Sequence, residues 1–537
     1  MVVIDRQWYK YQAGEHYLIV IFSTMRYSPT LLITVTLSAA LTLLRGGMAA
    51  PRNLTQEDFR QWTETIKKAG TNIGIQGMSV AVVYKGETIY SQAFGKKNSK
   101  DPFTIETVTN IASLTKAFTA AAVGELVAEG KADWETPVNE YVPEFKSKNP
   151  YLTADINLVD LLAHRAGYPM LDFHWFHRNE SRPELIKQLR NVEPVAPIRT
   201  KWIYNNILYA VAGEASGRIE GKSWEEVVRD KILIPAGMSS SGFSTKTMLT
   251  RPNHALGFAS KSFEASQRGE NYQIPPDTSR LTDAPSGDMF SNVIDLAKWA
   301  KLMLRQGKLN GKQVLHKETV EAVTKSWMAV GHGSVTYGLG WMIDDYKGHR
   351  MVSHAGANPG FRSHLALFPN EDLALIMLSN KDINEIVSLL ALYLADYILD
   401  LSKTEDWLFK YLVETDRRYY NNRTPTSLEA FFPPQIKNKP PTRRLEDFAG
   451  EYTHSYGPAI SFTLKGKGAK ASLAFKLTAY EGTLEHYHYD SFRLRLIHAG
   501  NTMTGLLSFV TGNNGSVQQL RFTTSDETMV YTKTARA

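Results

Sequence analysis

Asn110-Ile111-Ala112-Ser113-Leu114-Thr115-Lys116-Ala117-Phe118-Thr119-Ala120 is the stretch on which the reading of this chain turns. It opens a helix expected over 112–129 and ended by Gly130. At i and i+3 the Ser113 hydroxyl and the Lys116 amine share one helix face, within hydrogen-bonding reach. An apolar pocket disfavours the charged form of a lysine, so the amine can take the serine proton and leave a nucleophilic oxygen. Composition alone produces about one or two Ser-x-x-Lys matches in a chain this long, so the pair needs partners elsewhere.

Two partners are readable. Tyr204-Asn205-Asn206 follows 91 residues after Ser113, inside Trp202-Ile203-Tyr204-Asn205-Asn206-Ile207-Leu208-Tyr209. A phenol beside a lysine can pass a proton to a leaving group, and the Asn206 amide can orient substrate and lysine. Farther on, His354-Ala355-Gly356 continues the strand Met351-Val352-Ser353. Gly356 would let a substrate backbone approach the strand closely, and the next amide, that of Ala357, would point into the site.

In this order the three motifs resemble the serine β-lactamase and penicillin-binding-protein superfamily. Within it they are most similar to the branch of class C β-lactamases, D-amino-acid peptidases and related esterases. The resemblance extends over about residues 55–400. Asp160-Leu161-Leu162-Ala163-His164-Arg165-Ala166-Gly167, Asp295-Leu296-Ala297-Lys298-Trp299 and Tyr337-Gly338-Leu339-Gly340-Trp341 also look like family segments. It implies that Ser113 is acylated, that Lys116 and Tyr204 form the general acid/base pair, and that Asn206 orients substrate. It further implies an oxyanion hole from the backbone amides of Ser113 and Ala357, with His354 and Gly356 on the substrate-binding wall. Which of Lys116 and Tyr204 takes the first proton stays open. Two departures stand out. Members that hydrolyse β-lactams carry Lys-Thr-Gly where this chain has His354-Ala355-Gly356, and often a small-Gly-Gly run where it has Ser286-Gly287-Asp288. Asp288 is therefore expected to narrow the site or to place a charge at its edge.

Around this centre the chain reads as one large α+β domain over 51–401. Met78 to Val83 and Thr88 to Phe94 flank Lys85-Gly86 as a hairpin, helices follow to about residue 320, and strand-like runs return over 337–378. The fold implied is a β-lactamase/transpeptidase-like antiparallel sheet flanked by helices, with a mainly helical insertion. Five prolines between Pro425 and Pro441 mark residues 402–441 as a stiff linker. Beyond it, period-two alternation such as Ile460/Phe462/Leu464 predicts a separate antiparallel, barrel-like β domain over 442–537.

The first fifty residues read as an export leader. Residues 31–44 are 14 uncharged, mostly apolar positions between Arg26 and the small residues before Pro51. That is short of the roughly 20 a membrane span needs and right for a signal peptide, with 1–24 an upstream extension before Met25. A secreted glycoprotein is the expectation, with sequons at Asn53, Asn179 and Asn514 and no stable membrane anchor.

Cysteine is absent, which excludes disulfides, thiol nucleophiles and cysteine-ligated metals. A net charge of +7 over 537 residues does not indicate nucleic acid as a partner. His174-Trp175-Phe176-His177 lacks a third ligand, and His486-Tyr487-His488 reads as packing on a strand, so no metal and no cofactor are expected. The expected partner is a small-molecule or peptide substrate. The layout resembles secreted animal members, including ones from shell organic matrix. Two non-enzymatic alternatives follow: an extracellular matrix protein that keeps the fold without a dedicated activity, and a peptide-binding scaffold. Homo-oligomerisation is a further option.

Overall fold

A computed structural model describes residues 54–534, apart from 171–179, 279–281, 332, 383, 402–405, 423–431, 469–470, 479, 499–500 and 525–527. The expected leader and the His174/His177 pair lie outside the described residues.

The hydrolase-like part is built on an eight-stranded antiparallel sheet. Its strands are β1 (Gly77–Tyr84), β2 (Glu87–Gly95), β3 (Met328–Ala329), β4 (Thr336–Tyr337), β5 (Met342–Tyr346), β6 (His349–Asn358), β7 (Phe361–Phe368) and β8 (Leu373–Ser379). They lie in the order β3-β4-β5-β6-β7-β8-β1-β2. The first and last stretches of the domain meet where β1 pairs with β8, from Met78 opposite Ser379 to Tyr84 opposite Leu373. This is the predicted arrangement of strands at both ends with helices between.

Both strands at that seam are buried throughout, because helices cover both faces. Ala81, Val83, Ile376 and Leu378 enter one core, which also holds α2 (Thr115–Ala128), α3 (Asn206–Glu220) and α4 (Val293–Leu304). Their alternate neighbours Val80, Val82, Leu375 and Met377 enter a second core. That core packs against α1 (Gln56–Asn72) and α5 (Ile386–Ile398). The N-terminus of α1 closes in a capping box, with Thr55 Oγ1 accepting from the Asp58 amide and Asp58 accepting from that of Thr55. Helix α2 is buried on every side from Thr115 to Leu126, so it runs through the interior and carries Ser113 at its entrance.

The linker expected over 402–441 divides in two. Residues Asp406–Asn422 form a helix, α6, whose Leu408 and Leu412 join the second core, one turn apart. One turn further, Asp416 Oδ1 accepts from the Glu385 amide at 2.9 Å. The prolines from Pro433 onward instead belong to a strap laid on the β domain. Tyr487 donates to the Pro433 carbonyl, the Ile436 amide donates to His488 Nδ1, and the Tyr489 amide donates to the Lys439 carbonyl. Proline suits this role because a strap along a sheet edge has little use for the missing N–H.

The β domain itself comprises β9 (Gly450–Thr453), β10 (Ile460–Lys465), β11 (Ser472–Leu477), β12 (Tyr480–Thr483), β13 (Glu485–His488), β14 (Ser491–His498), β15 (Asn501–Thr511), β16 (Val517–Thr523) and β17 (Thr528–Lys533). They form one antiparallel sheet in the order β12-β11-β10-β9-β17-β16-β15-β14-β13. Its two end strands are separated by a single residue in the chain, so the sheet curls until nearly closed. Aromatic side chains such as Phe448, Tyr452, Phe462 and Phe509 fill the inside. His486 Nε2 pairs with the Tyr489 carbonyl and His488 holds the strap, so each ring serves packing.

With α6 docked on one side and the strap on the other, limited proteolysis of the full chain should spare both α6 and residues 432–441. Cleavage concentrated within α6 or within 432–441 would contradict this division.

Candidate active site

The turn that carries Ser113 is strained before it becomes a helix. Residues Ala112–Leu114 form a 3₁₀ turn, and Ala112 sits at φ +48°, a left-handed conformation that costs a non-glycine residue free energy. Local bonds hold it there. The Ala112 amide donates to Asn110 Oδ1 at 2.8 Å, and Thr115 Oγ1 donates to the Ala112 carbonyl at 2.6 Å. Ser363 Oγ, on β7, donates to the Ile111 carbonyl at 2.7 Å.

Among the described residues, Ser113 Oγ has two partners. Lys116 Nζ lies 3.1 Å away and the Tyr204 hydroxyl 2.9 Å away. Lys116 is fully buried, and its Nζ also donates to Asn206 Oδ1 at 2.7 Å and to the Ser286 carbonyl at 2.8 Å. Those two carbonyl acceptors occupy two of the amine's tetrahedral directions and leave the third facing Ser113. That direction can carry a proton toward Ser113 or, in the neutral amine, a lone pair that receives one. Asn206 is the first residue of α3, whose N-cap is Asn205, accepting from the Leu208 amide at 3.1 Å. The four residues expected to act together, Ser113, Lys116, Tyr204 and Asn206, are therefore within direct hydrogen-bonding contact.

The opposite wall is β6. Its pairing with β5 ends at Ser353, so among the described residues it is paired from His354 to Asn358 with β7 alone. Ala355 and Ala357 are exposed along this stretch, whereas His354 and Gly356 are buried. His354 Nδ1 lies 2.6 Å from the Ala355 carbonyl and Nε2 lies 3.0 Å from the Tyr337 hydroxyl. Nδ1 therefore carries the hydrogen and Nε2 accepts from Tyr337. Burial, and then the charge of Lys116, pushes the His354 pKa down to about 3, so the ring is neutral at ordinary pH.

Gly356 serves a different purpose from the expected one. A Cβ there would lie 2.4 Å from the Ile111 carbonyl oxygen and 3.1 Å from the Ala112 Cβ. The backbone that approaches it is the protein's own turn before Ser113, and the exposed positions of the strand are Ala355 and Ala357. Gly340, at φ +81°, likewise lets the Tyr337–Trp341 turn pack against Ala117.

Asp288 does not line the cleft. It is buried, and its Oδ1 accepts from Asn110 Nδ2 and Thr245 Oγ1, each at 3.1 Å. Asn358 Nδ2 completes this network by donating to Asn110 Oδ1 at 2.7 Å and to the Gly287 carbonyl at 2.8 Å. Asn110, Asn358 and Thr245 escaped the sequence reading. Asn110 stood inside the quoted stretch, but nothing local marks it as the support of the turn.

Comparisons with known proteins bear on this arrangement. The family model described as Beta-lactamase matches residues 62–397, and one described as a domain of unknown function (DUF3471) matches residues 434–535. The chain is 28% identical over 416 residues to an unguisins hydrolase of Aspergillus campestris, covering 74% of this chain and 76% of that one. It is 23% identical over 366 residues to a beta-lactamase of Escherichia coli, covering 62% and 90%. Among solved structures, the octameric penicillin-binding protein homologue from Pyrococcus abyssi matches with a TM-score of 0.58 at 22% identity, over 88% of this chain and all of that one. That last likeness concerns the fold.

Proposed function

The chain belongs to the beta-lactamase family, and from that premise we propose that it is a serine hydrolase that forms an acyl intermediate on Ser113. The observation that carries the reading is the triangle at Ser113 Oγ, with Lys116 Nζ at 3.1 Å and the Tyr204 hydroxyl at 2.9 Å. Both are within proton-transfer distance. In the reaction, Ser113 Oγ attacks a carbonyl carbon while its proton passes to Lys116 or Tyr204. The amides of Ser113 and Ala357 receive the developing oxyanion, and the leaving amine or alcohol takes a proton from the same pair. Water then repeats the attack on the acyl-serine and releases the acid. The test is to label the purified full chain with a fluorophosphonate and map the adduct by mass spectrometry. An adduct on Ser113 is expected, and labelling elsewhere alone would overturn the reading.

Relatives in this family are named for different substrates, so membership does not choose among them. The β6 wall favours an uncharged, extended amide or ester. Its free edge at Ala355 and Ala357 offers backbone hydrogen bonds to a substrate strand. A ligand carboxylate would find the neutral, buried His354 where a Lys-Thr-Gly strand presents an ammonium, and the methyl of Ala355 where that strand presents a hydroxyl. Loss of one charge-assisted hydrogen bond weakens binding by about 1.5–3 kcal/mol, or roughly tenfold to a hundredfold. Accordingly, kcat/KM for p-nitrophenyl acetate should exceed that for nitrocefin. A large advantage for nitrocefin would remove this substrate assignment while leaving the nucleophile in place.

A further inference from the structure

Tyr204 lies on a loop, outside any helix or strand, yet its hydroxyl sits within hydrogen-bonding distance of Ser113. What holds that loop is the turn at 164–169. The Val195 amide donates to the Gly167 carbonyl at 2.9 Å, the Arg199 amide to the Arg165 carbonyl at 2.7 Å, and the Ile203 amide to the His164 carbonyl at 2.9 Å. Asn205 Nδ2 donates to the Pro169 carbonyl. The Asn205 backbone amide, by contrast, donates to a side chain: His164 Nδ1, at 3.1 Å. His164 thus grips the chain on both sides of Tyr204, through its carbonyl at residue 203 and its ring at residue 205.

The surroundings of His164 show that this position is costly to maintain. Its backbone is left-handed, at φ +56°. Its ring is fully buried, with centroids 4.4 Å from that of Tyr204 and 4.9 Å from that of Tyr337. Because Nδ1 accepts, the ring hydrogen is on Nε2, which has no hydrogen-bond partner among the described residues. A strained backbone and an orphaned buried donor at one residue point to a role beyond packing. Burial and the charge of Lys116 lower the ring's pKa well below its usual value, which keeps the acceptor at Nδ1 available.

We propose that His164 is a positioning residue: its Nδ1 fixes the Asn205 amide and thereby sets the Tyr204 hydroxyl against Ser113. The proposal rests on the reading of Ser113 as the acylated nucleophile.

The test is a double-mutant cycle in the full chain with p-nitrophenyl acetate as probe. His164→Ala should lower kcat about 100-fold with KM within about threefold, the share expected of a misplaced proton carrier. Adding His164→Ala to Tyr204→Phe should cost no more than about twofold beyond Tyr204→Phe alone, because both changes act through one hydroxyl. His164→Asn, whose Oδ1 can stand where Nδ1 stood and which tolerates positive φ, should retain kcat within about fivefold, whereas His164→Gln should not. A folded His164→Ala enzyme with wild-type kcat, or losses that multiply in the double variant, would overturn the proposal. Should His164→Ala fail to fold, equal kcat for the Asn and Gln variants would overturn it. Hydrogen exchange gives a readout independent of turnover. The Asn205 amide should exchange faster in His164→Gln than in wild type and be protected again in His164→Asn; unchanged exchange in the Gln variant would also count against the clamp. If fluorophosphonate fails to label Ser113, the functional reading fails, while the exchange experiment still decides the clamp.

Discussion

Ser113→Ala in the full chain is expected to abolish turnover, by about ten-thousand-fold or more in kcat, with the fold intact. The serine contributes no core volume, and because Ser113 and Tyr204 are only half-buried, water can take the place of the hydroxyl beside Lys116 and Tyr204. Lys116→Met should cost about as much. It also leaves Asn206 Oδ1 and the Ser286 carbonyl without their buried donor, at about 1–3 kcal/mol for each unsatisfied acceptor, so its circular dichroism must be checked alongside. Tyr204→Phe should cost about 10²- to 10⁴-fold, the range of a single general acid/base group. Combining Tyr204→Phe with Ser113→Ala should add almost nothing, because the groups act as a unit. Ser113→Ala retaining more than about one per cent of activity on the ester would remove the whole site assignment.

The parts of the site that were legible in the sequence are those written locally. Ser113 and Lys116 lie one helical turn apart, a spacing that suggests a hydrogen-bonded pair, and the family resemblance adds Tyr204 and Asn206 to it. The hairpin at Lys85-Gly86 and the strand runs of β6, β7 and β8 carry the period-two and apolar patterns that sheets impose. What stayed hidden depends on contacts across long stretches of chain, which leave no periodic imprint. Gly356 makes room for Ile111 some 245 residues earlier, and Asp288 supports Asn110 from 178 residues away. Helix α6 was masked by the prolines that follow it, since its buried stripe amounts to Leu408, Leu412, Asp416 and Tyr420.

These long-range contacts share a direction. The strained Ala112, the Asn110–Asn358–Asp288 network, Ser363 on the Ile111 carbonyl and the turn at 164–169 all hold backbone rather than substrate. The reacting side chains are few, and most of the buried polar residues around them fix the turns on which those side chains stand. This is why the sequence motifs name the chemistry while the geometry is carried by residues outside them.

The same burial makes the domain sensitive to acid. Between pH 7.5 and 4.5 the protein is expected to lose about 5 kcal/mol through His354 and His364 alone. Burial holds His354 at about 3 and His364 at about 4, against an unfolded value of about 6.5. Both folded values are depressed, so the unfolded chain takes up its protons first as pH falls. Their stability contribution is full above about 6.5 and declines toward 3 to 4, by about 2–3 kcal/mol each at pH 4.5. His164 acts in the same direction. Asp416 opposes them: burial raises its carboxyl, so the folded state is favoured as pH falls through that range. Because the wild-type curve reports the sum, the decisive measurement is a difference. None of the ten tryptophans lies beyond Trp407, so urea unfolding followed by tryptophan fluorescence reports on the hydrolase domain without the β domain. His364→Leu removes one buried imidazole whose contact is Ser388 Oγ at 3.3 Å. Its loss of stability from pH 7.5 to 4.5 should be smaller than that of the wild type by about 2–3 kcal/mol. Parallel curves for the two proteins would show that His364 titrates in the folded domain as it does in the unfolded chain, and that acid acts elsewhere.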